Sequence, residues 1–559
     1  MQKCNIIWIL GESVRNYPGS DKIPQNNEYK CGKYKLMEDI ASEGIEFSNM
    51  VVSGPSTVMA HSSMFTSHPS VYLGRTYADF KFDTTIPTIS SILKKNGYHI
   101  YTSTHYAEGR KILKPITQSL DPKDTPEDIK HDINWGSEDL IKVLDHLLKK
   151  GLEEPFFLMV NFNNQENTAE LMGSAIAKLK EHNLYDNSLF FLSPDHGWPD
   201  LNRNPNDDQH DSVLTDSTSL IPFFMKFPGC SIKKIPQLTS TLDIMPTILD
   251  FLNIPRSKYK FHGQSLMPLI SGKGGYKEIK HRTDIRYLFQ IGRSISIRDE
   301  NFKYLVHPSR PVEKREEFYH LNLDKDELKN ISFDKKYNTK KLEFREEFKR
   351  QERNLINFHA NILINKFKKQ MPKNMKKAKI LLFGSAHPLF LKILLKACET
   401  LDDCEIDFVG EKIPTSMENI TFHNLTIEES DFSFIKKIEL SDLQKAQNQS
   451  KRMIVKSRAI KYKDFIKNCS PLLTKYFDLT IVPIDNPYGV GQKEYRKIVK
   501  NLNTNNVVFF DYNLDVKIPP RNWFINGLSL LYHKRNYYIS MPYKFPREVK
   551  RYIKSIREN

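Results

Sequence analysis

Four short apolar runs, each ending in a polar turn, constrain this chain most. They read "KCNIIWILGES", "EPFFLMVNF", "NSLFFLSPDHG" and "LIPFFMKFPG". Short apolar runs bounded by turn signals fit strands buried on both faces. Patterns of helical period lie between them, such as "TISSILKKNGYHIY" and "SEDLIKVLDHLLKKGL". Strands alternating with helices predict an α/β fold, with helices on both faces of a sheet. In such sheets ligands gather at the carboxyl ends of strands. Glu12 and Asp195 each close an apolar run, which places both at the mouth of a site.

A chain of 559 residues exceeds one hydrophobic core and predicts two domains. The first spans 1–335. Residues 336–375 form a charged helical linker, with "NTKKLEFREEFKRQERNLINFHANILINKFKKQ" broken by Pro372. The second domain, 376–559, is a smaller Rossmann-like α/β unit of unassigned role. It is carried by "KKAKILLFGSAHPLFLKILLKAC", "FDLTIVPIDNPYGVG" and "NNVVFFDYN". It holds neither a GxGxxG nor a Walker pattern, and its glycines read as ordinary turn chemistry.

The net charge of +16 is uneven. Residues 376–559 carry 31 Lys+Arg against 20 Asp+Glu, or +11, leaving +5 for the rest. A basic surface attracts anionic ligands, although a solvated lysine-rich face is the preferred reading of the balance. No basic stretch is interleaved with aromatics in the nucleic-acid manner, so no nucleic acid is expected. The six cysteines form no CxxC pair and suit reduced thiols, which predicts a cytoplasmic location. No apolar run reaches the roughly 18 residues that span a bilayer. "NIIWIL" is too short for a signal peptide and lacks a cleavage site. Peripheral membrane contact stays open.

Chemistry concentrates in two places. "SPDHG" sets Asp195 beside His196, and a carboxylate with an imidazole suits a divalent ion such as zinc or manganese. Glu12 adds a third ligand. These three would leave a coordination position open, where a hydroxyl would lose its proton more readily. "SGPSTVMAHSSMFTS", Ser53–Ser67, supplies several hydroxyls, though a serine or threonine there also suits a helix cap.

Taken in order, these motifs resemble the sulfatase branch of the alkaline phosphatase superfamily from about Asn5 to Ile331. "NIIWILGES" resembles its opening strand and acidic metal ligand. "PSTVMAHSSMFTS" resembles its nucleophile segment and "SPDHG" its late metal pair. "STLDIMPTILDFLNI", "FHGQSL", "IRDENFKYLVH" and "EEFYHLNLDKDELKNIS" follow in the expected order. The resemblance implies a mixed sheet sandwiched by helices, as in alkaline phosphatases and sulfatases.

Typical sulfatases use a cysteine, matured to formylglycine, in Cys-x-Pro-Ser-Arg. No cysteine occurs in this segment. Aligning on the proline makes Ser53 the counterpart, whereas aligning on the later "FT" step makes it Thr57, which is preferred. Related phosphoethanolamine and phosphoglycerol transferases use an unmodified threonine there. Their metal set maps onto Glu12, Thr57, Asp195 and His196, and implies one divalent ion.

The resemblance also implies secondary positions. His210, fourteen residues after His196, matches a residue that binds the transferred group, and an exposed loop histidine is the plain alternative. His105 matches a position that often holds lysine. Glu166 stands where relatives place a histidine, and would serve as general acid if its pKa is raised. Ser13 replaces the second acid of an Asp-Asp pair, which argues against a calcium site.

The expected function is a metal-dependent hydrolase or transferase of sulfate or phosphate esters, acting through Thr57. The partner is an anionic ester, such as a glycan or lipid-linked precursor. The alternatives are a sulfuric ester hydrolase proper and a catalytically inactive sulfatase-like domain that binds an anionic glycan.

Overall fold

The computed structural model describes residues 4–14, 35–73, 86–104, 137–162, 168–199, 213–285, 293–308, 310–370, 378–384, 388–400, 404–410, 420–424, 428–434, 453–483, 493–510 and 516–517. The chain divides into two compact units, Met1–Glu352 and Arg353–Asn559, and each is described by itself.

In the first unit, seven strands form one sheet: β1 (Asn5–Gly11), β2 (Ile45–Val51), β3 (His99–Thr104), β4 (Phe156–Phe162), β5 (Ser188–Pro194), β6 (Leu220–Lys226) and β7 (Lys233–Ser240). Their spatial order is β3-β4-β1-β5-β6-β2-β7. Strands β3, β4, β1 and β5 pair in parallel. β6 is antiparallel to both its neighbours, and β7 pairs with β2 in parallel. Every strand except β6 therefore ends at the same edge. β4 and β5 are buried along their whole length, as expected of strands covered on both faces.

Side-chain alternation splits this sheet between two cores. Ile6, Trp8 and Leu10 face one, which is filled by α2 (Thr57–Thr66) and α3 (Ile89–Lys95). Ile7 and Ile9 face the other, closed by α1 (Lys35–Ala41), α4 (Ser137–Lys150) and α5 (Thr168–Glu181). The layers are helix, sheet, helix, as the alternating runs predict. Trp8 on β1 stacks on Phe65 of α2 with centroids 5.7 Å apart, and its Nε1 donates to Ser193 Oγ on β5 at 3.0 Å.

A second, antiparallel sheet of four strands follows: β8 (His281–Ile285), β9 (Ser294–Arg298), β10 (Phe302–Val306) and β11 (Glu316–His320). The short helix α6 (Asp216–Ser219) is tied to this sheet by charge. Asp216 accepts from Arg298 at 2.6 Å and from Lys303 at 2.9 Å, and its N–H donates to Glu327 at 2.7 Å. Such burial of charge is tolerable only because each group is paired. The long helix α7 (Asn338–Gln370) begins by packing Phe344 and Phe348 against this sheet.

The second unit contains a six-stranded sheet in the order β14-β13-β12-β17-β18-β19. Its strands are β12 (Ala378–Phe383), β13 (Cys404–Gly410), β14 (Ile420–Asn424), β17 (Tyr476–Pro483), β18 (Asn503–Phe510) and β19 (Val516–Lys517). The first five pair in parallel, and only β19 runs against its neighbour. The chain winds outward from β12 in both directions, the doubly wound pattern of a Rossmann-like unit. A separate hairpin joins β15 (Glu428–Phe434) to β16 (Met453–Ala459). The glycine-rich turn at 485–492 lies outside the described residues. The described cysteines Cys4, Cys230, Cys398, Cys404 and Cys469 are all free thiols. Among the described residues no helix is long and apolar enough to cross a membrane.

Candidate active site

The site begins with strand register. Gly11 pairs with Pro194 across β1 and β5, so the next residues, Glu12 and Asp195, leave the sheet side by side. The Asp195 N–H donates to the Gly11 carbonyl at 3.1 Å and extends the pairing one step. Gly11 is closely covered, since a Cβ there would stand 2.7 Å from Met172 Sδ on α5 and that side chain would have to shift. Ser13 then adopts a left-handed conformation, φ 55°, rare for a residue with a Cβ. The turn lets its N–H donate to Asp195 Oδ1 at 3.2 Å and its hydroxyl to Glu12 Oε1 at 2.6 Å. Backbone strain of this kind persists where the surroundings over-determine it.

Glu12, Asp195 and His196 are 5%, 0% and 0% exposed. One ligand atom from each lies within 4.8 Å of the other two. His196 Nε2 is 3.7 Å from Glu12 Oε1 and 3.4 Å from Asp195 Oδ2. His196 Nδ1 lies 2.8 Å from the Gly197 carbonyl, which can only accept, so Nδ1 carries the proton and Nε2 turns its lone pair to the same side as the carboxylate oxygens. Glu12 Oε2 and Asp195 Oδ2 are buried with no hydrogen-bond partner among the described residues. Burial, then repulsion by Asp195, pushes the Glu12 carboxyl up to about 7. Two buried carboxylates with orphaned oxygens and an imidazole lone pair fit a divalent cation. Sequence alone places these three residues at strand ends, and the structure brings them together.

The hydroxyl-rich segment follows β2, at the same edge of the sheet. Most of its hydroxyls are already engaged. Ser62, Ser63 and Thr66 donate back to the carbonyls of Met59, Ala60 and Ser62. Ser67 donates to the Leu242 carbonyl, and Ser53 Oγ accepts from the Ser70 N–H at 3.2 Å. That leaves Ser56 and Thr57. Ser56 is the N-cap of α2, and its buried Oγ has no partner among the described residues. Thr57 is the first helical residue and half-buried, so the capping position falls one residue before it.

A residue missed by sequence reasoning completes this wall. His61, one helical turn after Thr57, is wholly buried. Its Nδ1 lies 2.7 Å from the Thr57 carbonyl, and its ring interacts electrostatically with Asp195 and His196. Burial is the largest influence on its pKa and lowers it. The signal in the sequence is the spacing of four from Thr57, which stacks two residues on one helix face. His105, Glu166 and His210, named from sequence, lie outside the described residues.

The loop carrying His196 is held from behind by α6. The Gly197 N–H donates to the Thr218 carbonyl at 3.0 Å, and a Cβ at Gly197 would stand 2.1 Å from the Ser217 carbonyl oxygen. A glycine is required by this close approach.

Comparison with known proteins points one way. The family model described as Sulfatase matches residues 4–165 and 162–254. The one described as N-sulphoglucosamine sulphohydrolase, C-terminal, matches 210–354. Arylsulfatase K of Rattus norvegicus is 25% identical over 173 residues, 30% of this chain and 30% of that protein. The chain spans about a third of the length of the curated relatives it matches, between 25% and 38%. A solved 2-O GAG sulfatase shares the fold with TM-score 0.50 at 16% identity, over 63% of this chain and 93% of that one. A solved structure in complex with D-glucosamine-2-N,6-O-disulfate matches with TM-score 0.50 at 12% identity, over 63% and 98%.

Proposed function

This chain belongs to the sulfatase family of the alkaline phosphatase superfamily, and on that premise we propose that it is a metal-dependent hydrolase or transferase of sulfate or phosphate esters, with Thr57 as nucleophile. One observation carries the reading. The buried Glu12–Asp195–His196 group, with two orphaned carboxylate oxygens, shares a sheet edge with a helix that starts at Thr57.

Glu12, Asp195 and His196 would hold the divalent ion, together with Thr57. When bound, the ion lowers the pKa of a neighbouring hydroxyl and offsets charge on the ester oxygens. The chain does the rest. Thr57 sits at the N-terminus of α2, where aligned backbone dipoles favour an anionic oxygen. Its Oγ1 forms the new bond to phosphorus or sulfur as the bond to the ester oxygen breaks and the alcohol leaves. Water or an acceptor alcohol then displaces Thr57 and restores the hydroxyl. The bond that fixes His196 Nδ1 to the Gly197 carbonyl keeps the second imidazole nitrogen turned to the carboxylates throughout.

The absence of cysteine from Ser53–Ser67 favours an unmodified hydroxyl over formylglycine. The transferase option rests on that hydroxyl. A sulfuric ester hydrolase is the second reading, favoured by the two matching family models. The relative solved with a disulfated glucosamine makes a sulfated or phosphorylated glycan the substrate class to try first. A cytoplasmic location, a zinc or manganese ion, and the assignment of 376–559 to a separate substrate-positioning unit belong to the same proposal.

The test is turnover by the full chain, loaded with zinc or manganese, on matched aryl phosphomonoester, phosphodiester, phosphonate and sulfate esters. Turnover lost in Thr57→Ala supports the reading. Turnover retained in Thr57→Ala, or a chain that binds no metal and turns over no ester, overturns it.

A further inference from the structure

The loop that leaves β11 carries a surface that the ester chemistry does not use. Leu323, Leu328 and Phe333 are 76%, 67% and 77% exposed. Apolar side chains scattered singly over a surface need no explanation, but three large ones in one short loop form a concentrated patch. Lysines stand among them. Lys325, Lys329, Lys335 and Lys336 are exposed, and none of the four is ion-paired among the described residues. The acids of the loop are mostly engaged by its own backbone. Asp324 accepts from the N–H groups of Leu328 and Lys329 at 3.0 and 2.8 Å, and Asp334 from that of Lys336 at 2.9 Å. Asp326 is exposed and has no such bond among the described residues.

The loop is pinned from within. Glu327 is buried, takes a left-handed φ of 55°, and accepts from the Asp216 N–H at 2.7 Å and from Lys303 at 3.0 Å. Asn330 Oδ1 accepts from the N–H groups of Phe318 and Ser332, and the Ile331 N–H donates to the Phe318 carbonyl at 2.8 Å. With Leu321, Glu327 and Ile331 fixed inward, the loop keeps Leu323, Leu328 and Phe333 in solvent. Apolar side chains set among unpaired lysines suit the boundary of an anionic bilayer. The acyl region receives the apolar groups, and the lysine stems lie along the boundary while their ammonium groups meet the headgroups. The net charge of +16 adds attraction at longer range. A second copy of this chain fits less well, because a two-fold contact would set the same lysines against each other.

We infer that the 321–336 loop is a membrane-docking surface: Leu323, Leu328 and Phe333 enter the interface of an anionic bilayer, and Lys325, Lys329, Lys335 and Lys336 contact its headgroups. The inference is independent of the reading of Thr57 as nucleophile. It gives a place to the peripheral membrane contact that composition leaves open. Glu327 of this loop binds the first residue of α6, and α6 braces the turn that carries His196. The docking loop is thus tied to the frame of the active site, and an ester carried on a membrane would meet that frame at its own surface.

The test is cosedimentation of the full chain with vesicles of phosphatidylcholine alone and of phosphatidylcholine containing about 30 mol% phosphatidylserine. Binding to the serine-containing vesicles is expected to be at least about tenfold tighter, and to weaken as salt is added. The triple variant Leu323→Ser, Leu328→Ser, Phe333→Ser keeps every charge and should lose at least about tenfold in affinity for those vesicles. The quadruple variant Lys325→Gln, Lys329→Gln, Lys335→Gln, Lys336→Gln keeps the apolar groups and should lose most of the preference for phosphatidylserine. All seven side chains are exposed, so both variants should keep the wild-type Tm. Phe333→Trp gives a second readout, since its added fluorescence should shift to the blue on serine-containing vesicles. No binding to these vesicles, equal binding by wild type and the triple variant, or an unshifted Phe333→Trp signal on bound protein overturns the inference. A dimer that forms without vesicles and is lost in the triple variant would make the loop a contact between copies, and overturns it as well. An inactive or active Thr57→Ala leaves this result unchanged, so the two readings fail separately.

Discussion

Gly11 and Pro194 face each other as the last paired residues of two neighbouring parallel strands, and this sets Glu12 beside Asp195 at the edge of the sheet. The two carboxylates come from positions far apart in the chain, yet backbone pairing alone brings them together. Their mutual repulsion in a buried place is the cost that a bound cation would offset.

Asp195→Asn should therefore abolish metal binding without unfolding the protein. Wild type in excess zinc or manganese should gain about 3 kcal/mol of stability at a hundredfold excess over Kd. The variant should gain nothing, and its metal content after dialysis should fall at least about tenfold. Thermal unfolding with and without metal, read beside elemental analysis, decides this. An equal rise in Tm for both proteins would remove Asp195 from the ligand set.

Gly197→Ala should damage the site from behind. The new Cβ would meet the Ser217 carbonyl oxygen at 2.1 Å, so either the His196 loop or α6 must move. A stability loss of about 1–3 kcal/mol is expected, together with weaker metal binding. Gly173→Ala is the control. It lies within α5, where a Cβ would meet only Leu36 Cδ1 at 3.9 Å, and it should be neutral or stabilising by up to about 1 kcal/mol.

Acid should loosen the frame around Ser53. Arg282 and Arg293 each pair with Asp284 and Glu352, and the Asp284 N–H holds the Ser53 carbonyl at 3.0 Å. Burial pushes the Glu352 carboxyl up, but Arg293 and Arg282 outweigh it and hold it down at about 2, against 4.5 for a free side chain. A depressed folded-state pKa stabilises above the unfolded value and loses that stabilisation as pH falls. The contribution of Glu352 should be complete above pH 4.5 and vanish as pH drops through 2, a change on the order of 3 kcal/mol. Glu352→Gln should be destabilised at pH 7, with the gap to wild type closing in acid. Denaturant unfolding across this range checks it, and a gap independent of pH would contradict it.

The sequence makes the strand ends legible, because "ILGES" and "SPDHG" each show an apolar run stopping at an acid. Those patterns are local, and local patterns survive folding. His61 is not legible in the same way, since a lone histidine in an apolar helix reads as core until its neighbours across the sheet are known. The choice among hydroxyls is equally hidden. Ser53 is disfavoured by the Ser70 N–H, and the carbonyl of its neighbour Val52 is bound by the Thr283 hydroxyl, 231 residues away. The buried pairing of Asp216 with Arg298 and Lys303 also depends on strands that meet only in the folded chain. The winding of the second unit outward from β12 could be guessed from its apolar runs, but its strand order could not.

The central claim is that Thr57 Oγ1 attacks the ester, and trapping the adduct tests it most directly. The metal-loaded full chain would be mixed with an aryl phosphate or sulfate ester, quenched in acid during turnover and mapped by peptide mass. The account predicts one phosphoryl or sulfuryl group on the peptide that begins α2, localised to Thr57 and missing in Thr57→Ala. A group found instead on Ser56 or Ser53, or undiminished turnover by Thr57→Ala, would contradict it.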